Sequence, residues 1–200
     1  MKLTIVLMLV IALIFPFCAS AGFITVIGDV NADERPNTQL YKNLLGSSNN
    51  VLFSRLRYLG VDGIANLYYQ LNVESVVIGS STITQDILAD VDLLVFNQFR
   101  RNNTLFYSQD ELNVINSFAK SGGNLIVVAE TQFDRHYDNI NSFLSGVGSS
   151  IRFDGFSVES AIANAAKHPF TQDIATLAVS SFNMLTGEAR FIPLAMAIRL

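Results

Sequence analysis

Four short runs of β-branched and large apolar residues, at 23–27, 73–78, 93–97 and 124–129, constrain this chain more than any other feature. Each run is continuous instead of alternating. A strand that is apolar on both sides needs cover on both sides, as in a parallel sheet held between two helix layers. Between the runs lie segments with helical spacing. The clearest opens at Ser108-Gln109-Asp110-Glu111, a capping box in which the Ser108 hydroxyl accepts the Glu111 amide and the Glu111 carboxylate returns to the Ser108 amide. Leu112, Ile115, Phe118 and Ala119 form one apolar stripe behind it, and Gly122-Gly123 supplies the left-handed backbone that stops a helix.

Stretches 38–45, 51–59 and 61–71 also read as helices, divided by residues 46–50 and by Gly60. Leu52, Leu56 and Leu59 share one face of the second, and Ile64, Leu67, Tyr68 and Leu71 one face of the third, where they are expected to pack on the sheet. Downstream, 140–144 reads as a short helix, 151–153 as an edge strand and 160–166 as a helical turn. From 175 onward the pattern turns strand-like, ending in 191–198. The alternation predicts an α/β fold, a three-layer α/β/α sandwich with a mostly parallel, flavodoxin-like sheet and right-handed crossovers. One domain, 22–200, is expected.

The first 21 residues form a separate unit, with 17 of them apolar. Met1-Lys2, an unbroken apolar run over 5–15 and the small-x-small exit Ala19-Ser20-Ala21 make up a signal peptide, cleaved to leave Gly22 first. An uncleaved anchor is the alternative reading of the same segment. The expected location is therefore secreted or periplasmic. Phe15-Pro16-Phe17 ahead of Cys18 does not make a lipobox, and cleavage after Ala21 removes the chain's one cysteine, so neither disulfides nor a thiol nucleophile remain. Without the leader, 12 basic side chains stand against 17 acidic ones. That balance argues against nucleic acid, whose phosphates require clustered Lys and Arg.

Residues 89–96, the capped helix after Ser108 and the stretch Ser121-Gly122-Gly123-Asn124-Leu125-Ile126-Val127-Val128 resemble the central portion of class I glutamine amidotransferase-like domains. The likeness is to an uncharacterised secreted or membrane-associated branch. His168-Pro169-Phe170-Thr171 and 187–197 also resemble elements of that family. The resemblance implies the layered fold and places a catalytic cysteine directly after the strand at 125–129. This chain has Glu130-Thr131-Gln132 there and no evident His-x-Glu partner, so glutamine hydrolysis is not expected. Such domains usually continue past the equivalent of Ile198, which implies a truncated version with one sheet edge uncovered.

In open α/β sheets, ligands bind beyond the carboxyl ends of the strands. Three loops are expected on that rim, offering Asp29, Asn31 and Asp33 after the first strand, Asn97 after the 93–97 strand, and Glu130, Asp134 and His136 after the 124–129 strand. Asp29-x-Asn31-x-Asp33 starts like a calcium loop but lacks the glycine and glutamate that would complete it, and the Glu130 to Asp138 spacing matches no zinc signature. No metal and no cofactor is therefore assigned. Glu130, Thr131 and His136 are the local set that combines a hydroxyl, a base and an acid. Two functions fit: a non-catalytic binding domain for a small polar ligand or an envelope protein, or a hydrolase of a glycan or other polar substrate using the acidic, histidine-containing loop.

Overall fold

The computed structural model describes residues 22–28, 37–54, 62–79, 82–97, 107–129, 137–156, 160–164, 169–180 and 183–187. Five parallel strands, β1 (Ile24–Ile27), β2 (Asn50–Ser54), β3 (Ser75–Gly79), β4 (Leu93–Asn97) and β5 (Asn124–Val128), form one sheet in the order β1-β5-β4-β2-β3. Read from the β3 edge the order is 3-2-4-5-1. This is the doubly wound order 2-1-3-4-5 with each strand number advanced by one and β1 standing in the fifth place.

Five helices cover the sheet: α1 (Thr38–Leu45), α2 (Asp62–Gln70), α3 (Gln85–Leu88), α4 (Gln109–Lys120) and α5 (Tyr137–Gly146). The steps from β1 to β2 and from β2 to β3 run one way across the sheet, and those from β3 to β4 and from β4 to β5 run back. With crossovers of one hand, that reversal must put α1 and α2 on one face and α3 and α4 on the other. The packing agrees. Leu40, Tyr41 and Leu44 of α1 and Ile64, Ala65 and Tyr68 of α2 pack with Val51, Phe53, Val95, Ile126 and Val128. Leu88, Ile115, Ala119, Ile140, Phe143 and Leu144 from α3, α4 and α5 pack with Leu52, Leu94, Phe96, Leu125 and Val127. Consecutive residues of β1, β2, β4 and β5 thus serve opposite cores, which is why those runs are continuous and not alternating; in β3, at the sheet edge, the run at 73–78 is covered on one face only, since Val76 packs on a core and Val77 is exposed.

Two expectations are corrected. The spacing predicts a helix over 51–59, yet Asn50–Ser54 is the strand β2, placed between β3 and β4 with Val51, Leu52 and Phe53 all buried, and 55–59 lie outside the described residues. Leucine spacing of three and four residues resembles a helix stripe, but five residues buried on both sides fit a central strand equally well, and the sheet decides. The pattern predicts a helical turn over 160–166, yet Ser160–Asn164 is the strand β7, and 165–166 lie outside the described residues. It pairs antiparallel with β8 (Thr176–Ser180), while β6 (Arg152–Phe156) pairs antiparallel with β9 (Asn183–Thr186). Ladder pairing overrides the weak helix preference of Ala161, Ala163 and their neighbours. The strand expected over 191–198 and the leader over 1–21 lie outside the described residues.

The paired strands make two separate two-stranded sheets, β6 with β9 and β7 with β8. The first lies against α5. The Asn141 side chain donates to the Phe153 carbonyl at 3.0 Å and accepts the Phe153 N–H at 2.8 Å, as a neighbouring strand would. The 3-10 turn Pro169–Thr171, between β7 and β8, lies against α1 instead. There Asn43 Nδ2 donates to the carbonyls of Phe170 and Gln172 at 3.0 and 2.8 Å, and the Phe23 and Phe170 rings sit 4.5 Å apart. Phe153 and Leu185 belong to one core, Phe170 and Ile174 to the other.

At the amino end of the sheet, one carboxylate aligns two strands. Asp92 Oδ2 accepts the backbone N–H groups of Asn49 and Asn50 at 2.9 and 3.0 Å, and the Asp92 carbonyl accepts the Asn124 N–H at 3.0 Å.

Candidate ligand rim

The sheet register brings three strand ends abreast. Ile27 of β1 pairs with Val128 of β5, which pairs in turn with Asn97 of β4, and the Ala129 N–H donates to the Ile27 carbonyl at 2.9 Å. Adjacent strands are about 4.8 Å apart, so the segments leaving these ends start within roughly 10 Å of one another. Asn97 is the last residue of β4. Asp29, Asn31, Asp33, Glu130, Thr131, Asp134 and His136, together with His168, lie outside the described residues, in segments 29–36, 130–136 and 165–168.

The strand order reverses between β2 and β4, because β2 leads on to β3 at one side while β4 leads on to β5 at the other. A crevice at the carboxyl ends of such a pair is where doubly wound sheets receive ligands. Ser54 ends β2 at this point, and its Oγ lies 3.2 Å from the Tyr107 hydroxyl, close enough to share a hydrogen bond. Tyr107 is held from two directions. Its ring packs edge-on to Phe96 at 5.5 Å and 90°, and lies 5.1 Å from the Phe143 ring, while Phe96 and Phe143 are 4.9 Å apart. It also directly precedes the N-cap Ser108, and that residue's position is fixed.

The fixing group is Glu111, which is 4% exposed. Its Oε2 accepts the Ser108 N–H at 2.9 Å and the Ser108 hydroxyl at 3.1 Å, while Ser108 Oγ accepts the Glu111 N–H at 3.2 Å. This is the capping box read from the sequence. The other oxygen, Oε1, accepts the Ile83 N–H at 3.1 Å, tying the start of α4 to the segment that leads into α3. Two rim hydroxyls, one aromatic trio and one buried carboxylate therefore form a connected group below the β2–β4 crevice. Sequence reading missed Ser54 and Tyr107, since a helix over 51–59 hides the strand end that presents Ser54.

Tyr68, an aromatic that the sequence singles out, is core. Its hydroxyl donates to the Tyr41 carbonyl at 3.2 Å, and burial pushes its ionisation well above the ordinary phenol value. It stays protonated and serves packing. A groove of about 460 Å³ lies elsewhere, between α3 and α4 from Asn113 onward, lined by Leu88, Asn113, Val114, Ser117 and Phe118 among others. Its α4 residues lead toward the amino end of β5, so it is not part of the rim. Among the described residues, no three His, Cys, Asp or Glu side chains group closely enough to hold a metal ion, and no helix is long and apolar enough to cross a membrane.

No known protein family and no curated protein matches this chain. Among solved structures, the chain is similar to one described as "mmIFT52 N-terminal domain", at 15% identity and a TM-score of 0.49, over 70% of this chain and 69% of that one.

Proposed function

We propose that this chain is an extracytoplasmic binding domain, exported by a cleaved leader, that holds a small polar ligand or an envelope partner at the carboxyl rim without transforming it. One observation carries the reading. β5 runs through buried Val128 and Ala129 straight into Glu130, the place where the amidotransferase-like domains it resembles carry their nucleophilic cysteine. A carboxylate there can accept hydrogen bonds but cannot form the thioester intermediate of glutamine hydrolysis. The rim is otherwise suited to binding. Ser54 and Tyr107 offer hydroxyls above an aromatic floor, and the sequence that follows Ile27 and Ala129 carries the polar residues Asp29, Asn31, Asp33, Glu130, Asp134 and His136. Hydroxyl groups beside aromatic rings suit a neutral, hydroxyl-rich ligand such as a sugar.

Thermal unfolding of the exported protein with glucose, trehalose, nucleotides, divalent ions and L-glutamine tests this. A ligand present at a hundred times its Kd adds about 2.7 kcal/mol, which raises Tm by roughly 5–10 °C for a domain of this size. Ser54→Ala and Tyr107→Phe should leave the unliganded Tm within about 3 °C and cut the ligand-induced rise by half or more. Ammonia release from glutamine should be absent. Substrate turnover that disappears in a Glu130→Ala, His136→Ala double variant would overturn the reading in favour of a hydrolase.

A further inference from the structure

Gly22, the residue that cleavage after Ala21 would expose, stands two residues ahead of β1. The Gly22 N–H donates to the Ala119 carbonyl at 2.9 Å. Ala119 lies in the last turn of α4, and the carbonyls around it form the negative end of that helix: Ala119 also accepts the Gly122 N–H at 3.3 Å, and Phe118 accepts those of Ser121 and Gly123 at 3.1 and 3.0 Å. Gly22 fits this place only as glycine, because a β-carbon there would collide with the backbone of Gly123. The next residue is fixed too, with the Phe23 N–H donating to Asn124 Oδ1 at 3.2 Å. The nitrogen that leader cleavage would release is thus already seated on a helix carboxyl end.

We infer that leader cleavage creates the C-terminal cap of α4: the Gly22 α-ammonium, held on the Ala119 carbonyl, replaces a neutral amide with a positive charge at the negative end of the helix. This rests on the reading of a leader cleaved after Ala21. In the hydrolysis, the C–N bond between Ala21 and Gly22 breaks, water adds its hydroxyl to the Ala21 carbonyl carbon and a proton to the Gly22 nitrogen, and the amine takes a further proton from solvent. The ammonium keeps a donor for Ala119 and strengthens it, since charged donors make shorter and stronger hydrogen bonds. Of the elements around Gly22, β1, β5 and the 121–123 turn carry no charged side chain. Lys120 of α4 is exposed, and the Asp92 carboxylate across the sheet is engaged by Asn49 and Asn50. Helix polarity therefore sets the sign, and it raises the α-amine above its ordinary value of about 7.7–8.0. A group raised in this way contributes stability that is complete below its unfolded value and is lost as pH climbs through the folded one.

Two measurements on the exported protein separate the parts of this inference. Intact mass gives the first residue: a chain beginning at Gly22 supports the cleavage reading, and any other start overturns that reading and the cap with it, whereas a chain that begins at Gly22 and fails the stability test overturns the cap alone. Stability then tests the cap. A variant with Ser-Ser inserted between Ala21 and Gly22 keeps the amide contact and moves the charge away. Its Tm at pH about 6.5 should fall by about 1–4 °C, and the gap should close near pH 10. A variant as stable as the parent at pH about 6.5 would overturn the cap, as would an α-amine, titrated by ¹³C-methyl labelling of the parent, that ionises at or below about 7.7.

Discussion

Glu111 shows what one side chain can organise. The spacing from Ser108 to Glu111 announces a capping box, and the structure contains it. The second duty of the same carboxylate, accepting the Ile83 N–H, left no trace in the sequence, because Ile83 lies 28 residues upstream and its approach depends on how α3 packs. Glu111→Ala removes the acceptor for two backbone N–H groups and one hydroxyl in a nearly water-free place, so it should lower unfolding stability by about 2–4 kcal/mol, measured by urea denaturation. Glu111→Gln, which keeps one oxygen and the shape, should lose less than half of that. A loss below about 1 kcal/mol for the alanine variant would show that water replaces the carboxylate. Ser54 and Tyr107 were illegible for a related reason: each is an ordinary residue until a strand end and a helix start bring them within 3.2 Å.

Among the elements, the strands at β1, β4 and β5 and the capped helix α4 were legible from continuous apolar runs and from polar stop signals. β2 was not. Its length of five residues is too short to separate a period of two from one of 3.6, and the leucines beyond it extended the false stripe. β7 was hidden by its alanines, which favour helix locally and yield to the ladder with β8. The attachment of β6 to α5 rests on a side chain doing the work of a strand. Asn141 meets both backbone groups of Phe153, so Asn141→Ala should cost about 1–2 kcal/mol, and limited proteolysis should cut near β6 faster than in the parent. An unchanged cleavage pattern would mean that apolar contacts of Phe153 hold β6 alone.

At the scale of the whole molecule, the layered α/β arrangement followed from the alternation of runs and helical stripes, while the strand order did not, since finding β2 is what completes it. The sequence points to the carboxyl ends of the strands as the candidate rim, while its site residues, Asn97 apart, lie outside the described residues. Strand ends stand where the doubly wound plan puts them, and the register of Ile27, Val128 and Asn97 gathers the three departing segments.

The chain segment that runs from β6 to the 3-10 turn is fastened at both ends, to α5 in one core through Asn141 and to α1 in the other through Asn43. A heated molecule then has no way to melt one side of the sheet first, because freeing either helix layer pulls on the same strap. Differential scanning calorimetry should record a single endotherm whose calorimetric and van't Hoff enthalpies agree, and Asn43→Ala, which loosens the strap at one end, should broaden that peak toward two.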